Sequence, residues 1–374
     1  MIDKTVYNGI SELVEGKNIL CVPIISSINR ETGEYKLDAD GNINRIITTF
    51  WNFDGFKSLT IILPSKHVEG SEKYMTEWVN MKSSPEHEIK ILWSDAFGIH
   101  AGEQRSNYFV ITSMAKFIYE NVKLDEVDVA FMESQGLILH TSSHLLRKTV
   151  FWNYTCETDN KSRSFLRGYK DINEILFREC RKSIVASPEQ VDYFSSVEGT
   201  CIDDMLYLPI FMDLSIPLFK YTNVDVIETT LKKYRADGYQ VFYLPYRMTD
   251  EGYQMDDVIA YINGHESEKK LIVYSDPNNS HFMEKLFLSG KFDSNVEKMR
   301  VSTDRNTYYT ILNTDADIII PYFEDIAYIN HASVQEFIDD DRCKCKIVLK
   351  KFDVDNPYNV NRCKRVSYIQ DMNK

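Results

Sequence analysis

Glycine and proline are scarce, 15 and 10 of 374 residues, which excludes collagen-like and low-complexity chains. Neither G-x-G-x-x-G nor a Walker sequence occurs, so the usual dinucleotide fingerprint and P-loop are missing. No run of about 18 apolar residues exists, and the opening Met1-Ile2-Asp3-Lys4 lacks the charged and apolar regions of a signal peptide. A cytoplasmic chain without a membrane partner is expected. Cysteine is sparse and odd in number: Cys21, Cys156, Cys180, Cys201, Cys343, Cys345 and Cys363 predict reduced thiols, not a disulfide framework. Cys343, Cys345 and Cys363 lack a Cys-x-x-Cys pair, so no metal is expected. Tryptophan is rare too, and Trp51, Trp78, Trp93 and Trp152 form no stacking stripe. Positive charge is in the minority, 43 Lys and Arg against 56 Asp and Glu, and a net charge of −13 discourages nucleic-acid binding by the body of the protein.

What is present is ample apolar content, 43% hydrophobic and 13% aromatic, in a chain long enough for two domains of ~150 to 190 residues. Short β-branched runs at 18–25, 58–63, 89–93, 127–131 and 183–186 alternate with helical patterns at 44–52, 72–81 and 108–121. That alternation predicts a parallel sheet. A second series runs through 239–244, 270–274, 298–301 and 317–320. Between the series, residues 207–217 carry Pro209 and Pro217 in an extended context, the pattern of a hinge. The expected architecture is α/β, two Rossmann-like domains facing a central cleft. Residues 1–208 are expected to form the first domain, 209–352 the second, and 353–374 a basic segment packing back on the first.

The minority charge is gathered. Residues 144–182 hold nine basic against five acidic residues, and 342–374 hold nine against three, leaving −23 for the rest of the chain. Such clusters serve either as polyanion-binding patches or as solvated helix faces. Trp152 and Tyr154 lie inside the first cluster beside Arg147 and Lys148, the aromatic and cationic mixture of a nucleic-acid surface.

Three loops following predicted strands carry the chemistry. After 239–244 come Arg247 and Thr249, where a guanidinium could clamp a diphosphate or pair with Asp250 or Glu251. After 298–301, Asp304 and Arg305 border a base pocket or form a turn. After the run Ile318–Ile320, which Pro321 stops, a polar loop leads through Asn330, His331 and Ser333 to Glu336. Any of those three could cap a helix, whose positive end suits a diphosphate, and Glu336 then either completes a capping box or accepts a ribose hydroxyl pair. In the first half, Asp95 follows the strand 89–93 directly, placed either as a general base for an acceptor hydroxyl or as a helix N-cap, with His100 as the rival base. Asp315-Ala-Asp317 imitates a metal-binding D-x-D but leads into a buried strand, and a structural role is expected.

The Ala316-Asp317-Ile318 strand, its loop and the Glu336 helix resemble the last βα unit of glycosyltransferases of the two-Rossmann-domain GT-B class. The Leu92-Trp93-Ser94-Asp95 ending resembles the Leu-Phe-Thr-Asp segment of the phage DNA β-glucosyltransferase family. Where that family's helix carries an Arg ahead of its Glu, this chain has Val334 and Gln335. The resemblance implies an inverting transfer from a nucleotide diphosphate sugar, most simply a UDP-sugar, with Asp95 as base. Arg247, Thr249, Arg305, His331, Ser333 and Glu336 would hold the donor, with no further cofactor. The implied acceptor is 5-hydroxymethylcytosine or a related pyrimidine in double-stranded DNA, held by Arg105, Arg147, Lys148, Arg163 and Arg167. A transferase acting on surface polysaccharide or a small metabolite, and a two-lobed binding protein without chemistry, are the alternatives.

Overall fold

The structure is a computed structural model that describes residues 8–25, 27–29, 31–38, 40–53, 55–97, 107–152, 175–185, 202–208, 224–247, 255–276, 280–301, 307, 311, 316–320, 345–349 and 366–368. The chain divides into two compact units, Met1–Leu218 and Phe219–Lys374, a division just beyond Pro217 and ten residues later than the sequence suggests.

The first unit holds a seven-stranded sheet. Its strands are β1 (Asn18–Val22), β2 (Ser58–Pro64), β3 (Glu88–Ser94), β4 (Val129–Met132), β5 (Thr149–Trp152), β6 (Lys182–Val185) and β7 (Met205–Tyr207), in the order β3-β2-β1-β4-β5-β6-β7. Every pairing is parallel, for example Ile19 with Leu59 on one side and with Val129 on the other. β1, β4 and β5 are buried almost throughout, as expected of strands covered on both faces.

After α1 (Asn8–Val14), helix α2 (Gly41–Asn52) provides part of that cover. Ile43, Ile46, Ile47 and Phe50 recur at helical spacing and are all buried. Phe50 meets Phe131 of β4 edge-on, with ring centroids 5.7 Å apart, and meets Phe56 at 5.9 Å. Asp40 starts the helix by accepting N–H bonds from Asn42 at 2.9 Å and Ile43 at 3.3 Å, and Phe53 ends it in an extended conformation. Truncating Phe50 to Ala would leave a cavity costing about 3 to 5 kcal/mol.

The second unit repeats the plan with β8 (Tyr239–Arg247), β9 (Lys269–Ser275), β10 (Val296–Val301), β11 (Ile318–Ile319), β12 (Lys346–Leu349) and β13 (Val366–Tyr368), in the order β10-β9-β8-β11-β12-β13. Its core joins Phe242 and Leu244 of β8, Ile272 and Tyr274 of β9, Ile318 and Val348, with Val258, Ile259 and Ile262 from the helix Asp256–Gly264. Asp317 accepts the Val241 N–H at 2.9 Å and an Arg235 guanidinium bond at 2.8 Å, the structural role expected of it. β13, within the segment 353–374, pairs with β12 through Ile347 and Val366.

Cys21, Cys180 and Cys345 are buried. Burial, and secondarily the Glu133 carboxylate, raises Cys21 well above the ordinary thiol range, while burial beside Glu179 pushes Cys180 up to about 12.

Candidate active site at the carboxyl ends of the strands

In an open parallel sheet, ligands bind beyond the carboxyl ends of the strands where the order reverses. In the first sheet that point lies between β1 and β4, and its polar groups are built into the backbone. Glu133, the residue after β4, is buried and accepts the Ile24 N–H at 2.5 Å. Asn42, in the first turn of α2, donates its amide to the Ile24 carbonyl. Asp40 is fully buried and adds the Ser27 N–H at 2.9 Å to its two bonds at the helix start. The chain after β1 is thereby fixed, and it runs on to Tyr35, whose N–H donates to the Lys66 carbonyl at 3.2 Å.

Beyond β2 and β3 stands a second group. Ser65 extends the ladder by one bond, its N–H to the Ser94 carbonyl at 3.0 Å, and its hydroxyl donates to the Asp95 carboxylate. Asp95 is exposed at the head of a turn, and the Ala96 N–H donates back to the Ser94 hydroxyl at 3.1 Å. Among the described residues no helix begins at Asp95, so the N-cap alternative is not what occupies its carboxylate. Beside it, the His67 ring lies against Trp93 with centroids 4.7 Å apart and planes at 31°. A carbonyl can only accept, so His67 Nδ1–H donates to Pro64 at 3.0 Å, and Nε2 lies 3.4 Å from a Glu72 oxygen.

In the second sheet the order reverses between β8 and β11, which pair through Ile318 with Phe242 and Ile319 with Tyr243. Arg247 is the last residue of β8, after a register irregularity that begins at Leu244. Beyond β9, Asp276 is buried and accepts N–H bonds from Ser280 and His281, each at 2.9 Å, while its carbonyl takes an Arg300 bond at 2.8 Å. Burial pushes the Asp276 carboxyl up, but those N–H groups, the Ser280 hydroxyl and Arg300 outweigh it and the net shift is downward.

Of the residues singled out by sequence, Asp95, Arg147, Lys148 and Arg247 are described at least in backbone. His100, Arg105, Arg163, Arg167, Thr249, Arg305, His331, Ser333 and Glu336 lie outside the described residues, as do Tyr154, Cys343 and Cys363. Arg147 is exposed at the end of the short helix Ser143–Leu146. The Lys148 ammonium donates to the Leu124 carbonyl at 3.2 Å and to that of Val127 at 2.6 Å, so two of its three protons serve the fold. Trp152 corrects an expectation: it is a buried core residue of β5 against Phe131, not part of a surface. Among the described residues no cluster of three or more His, Cys, Asp or Glu could hold a metal ion. Sequence reasoning passed over Ser65, His67 and Glu133, because a hydroxyl, an imidazole and a carboxyl just past strand ends carry no motif. Extending the period of two beyond β2 would have pointed to Ser65 and His67.

No protein-family model matches this sequence, and no curated protein sequence matches it. Solved structures do resemble it in shape. Anabaena Alr3699/HepE, in a complex with UDP and glucose, superposes with a TM-score of 0.54 at 11% identity, over 90% of this chain and 81% of that one. The fold is GT-B. An Arabidopsis thaliana protein, UGT89C1 complexed with UDP, matches with a TM-score of 0.50 at 11% identity over 94% and 85% of the two chains. The N-terminal domain of a Candida albicans trehalose-6-phosphate phosphatase matches with 0.51 at 14% identity over 96% and 89%. At such identities the likeness establishes the GT-B fold, while function has to be argued from the site. Among the described residues no helix is long and apolar enough to cross a membrane.

Proposed function

We propose that this chain is a glycosyltransferase that uses a UDP-sugar. The observation carrying the donor half is the strand order of the second sheet. Arg247 ends β8, and the segment leading to Glu336 follows β11, the neighbouring strand across the point where the order reverses. A guanidinium matches a diphosphate bidentately, and a carboxylate accepts from ribose hydroxyls. Thr249, Arg305, His331 and Ser333 complete the proposed donor set. UDP in complex with HepE and with UGT89C1 supports the same choice of nucleotide.

On the acceptor side, Asp95 is the proposed base, with His100 as the rival for that role. The acceptor hydroxyl gives its proton to the Asp95 carboxylate as its oxygen bonds to the anomeric carbon. The bond from that carbon to the phosphate oxygen breaks, and UDP leaves with the electron pair, which inverts the anomeric centre. The hydroxymethyl group of a modified pyrimidine in DNA is one acceptor with such a hydroxyl, and exposed Arg147, Arg178 and Arg181 support that reading, with Arg105, Arg163 and Arg167 as its further proposed contacts. A specific observation favours the second reading, a glycan or small hydroxylated metabolite. Lys148 is bound to carbonyls, Lys182 pairs with Asp204 at 2.9 Å, and Trp152 is core, so part of the patch that suggested DNA is spent on the fold.

The deciding experiment incubates the protein with a panel of UDP-sugars and either DNA carrying 5-hydroxymethylcytosine or glycan acceptors, and reads UDP release. Release that depends on an acceptor is expected. UDP-sugar binding without turnover on either acceptor class would leave a two-lobed binding protein, and absence of UDP-sugar binding would remove the donor assignment. DNA binding through the basic residues should weaken with salt by a log–log slope of about −0.9 per phosphate neutralised, and a flat response would dismiss the DNA reading.

A further inference from the structure

Trp93 stands 38% exposed on β3, an edge strand of the first sheet. Two of the other three tryptophans, Trp78 and Trp152, are buried in the core. The exposed indole is held stiff from behind, because the His67 ring against it is itself fixed by Pro64 and faces Glu72. Asp95 opens the turn two residues beyond Trp93, and Ser65, just past the end of the adjacent strand β2, hydrogen-bonds its carboxylate, while His67 two residues further on lies against the Trp93 ring. A flat apolar ring thus stands beside a hydroxyl and carboxylate pair.

We propose that Trp93, Asp95 and Ser65 form the acceptor subsite, and that it takes a pyranose ring. This rests on the glycosyl-transfer reading and names its acceptor class. One face of a pyranose presents C–H bonds with partial positive charge, which suit the negative face of an indole, while hydroxyls at its rim donate to a carboxylate. A platform already fixed by His67 loses little freedom on binding. A nucleobase would also stack on the ring, but DNA needs its phosphates neutralised, and Lys148 and Lys182 are engaged elsewhere.

The test uses the full chain with the methyl pyranosides of glucose, galactose and mannose as probes, read by saturation-transfer NMR and by the shift of the Trp93 indole N–H. That signal is assigned by its disappearance in Trp93→Phe. At least one pyranoside should bind with transfer to its ring C–H protons and move the Trp93 indole signal. Trp93→Ala should weaken it about tenfold, with Trp93→Phe retaining most of the binding. UDP affinity, measured by calorimetry, should be unchanged in both variants. No pyranoside binding, or binding that leaves the Trp93 indole signal still, overturns the subsite even if Trp93→Ala fails to fold. A Trp93 signal that responds to a 5-hydroxymethylcytosine oligonucleotide and to no pyranoside overturns the pyranose and restores the DNA reading. UDP binding without pyranoside binding sinks the subsite alone, whereas pyranoside binding without UDP binding sinks the donor reading and keeps the subsite.

Discussion

In the first unit the strand at the point of reversal, β1, is five residues long and passes into a loop tied down by Glu133, Asn42 and Asp40. In the second unit the matching strand, β8, runs nine residues to Arg247 and breaks register after Leu244. There the tying is done one strand over, by Asp276 beyond β9. Over six strands the two sheets follow the same order, yet each uses a different strand end to anchor its backbone. Acids near the strand ends therefore fall into two kinds. Asp40, Glu133 and Asp276 are buried and satisfy backbone N–H groups, whereas Asp95 is exposed and takes a side-chain hydroxyl. Burial and hydrogen-bond partners, more than proximity to a strand end, separate acids that hold the fold from an acid available for chemistry.

Four substitutions test that separation. Asp95→Asn should show the largest effect on activity, a loss of turnover on the order of 10²-fold or more with UDP-sugar affinity and the urea midpoint unchanged. Normal turnover in that variant would class Asp95 with a surface turn and leave His100 as the base. Arg247→Ala and Glu336→Ala should each weaken UDP-sugar binding by roughly 1.5 to 3 kcal/mol in calorimetry while leaving stability alone. Unchanged donor affinity in both would break the assignment of the second unit. Asp40→Ala should do the reverse of Asp95→Asn, lowering unfolding free energy by about 1 to 2 kcal/mol in urea with no direct role in chemistry. If it instead left stability intact and abolished turnover, the division between anchoring and available acids would fail.

The smallest effect is one of pH. Asp276 has a depressed carboxyl in the folded chain, so its contribution is complete above the unfolded value near 3.9 and is lost as pH falls through the lower folded value. Urea midpoints compared at pH 5 and pH 3 should fall less for Asp276→Asn than for the parent. Parallel falls would mean that Asp276 is not a source of acid sensitivity.

The longer strands were legible because their periodicity is plain. The runs at 58–63, 89–93, 239–244 and 270–274 correspond to β2, β3, β8 and β9 with ends shifted by at most three residues. β5, β7, β12 and β13 were not legible. Each is only three or four residues long, too short to show a period, whereas β4 and β6, no longer, were found as apolar runs at 127–131 and 183–186. β5 was also masked by its neighbours, since Arg147 and Lys148 made Thr149–Trp152 look like part of a basic surface. The burial of Trp152 and the carbonyl partners of Lys148 reverse that impression. Within the candidate site, Asp95 was found from its place after a strand. Ser65 and His67 come from a different strand and meet it only through the register of β2 with β3.

The buried thiols turn the two units into separately observable bodies. Cys21, inside β1, and Cys345, the residue before β12, are buried, so an alkylating reagent does not reach either sulfur while the sheets stay closed. Modification of Cys21 therefore counts openings of the first sheet, and modification of Cys345 counts openings of the second. With the other five cysteines replaced by serine, mass spectrometry of one labelled sample would give two clocks. A UDP-sugar that binds the second unit would slow the Cys345 clock, so donor binding could be followed in a single chain without any acceptor in hand.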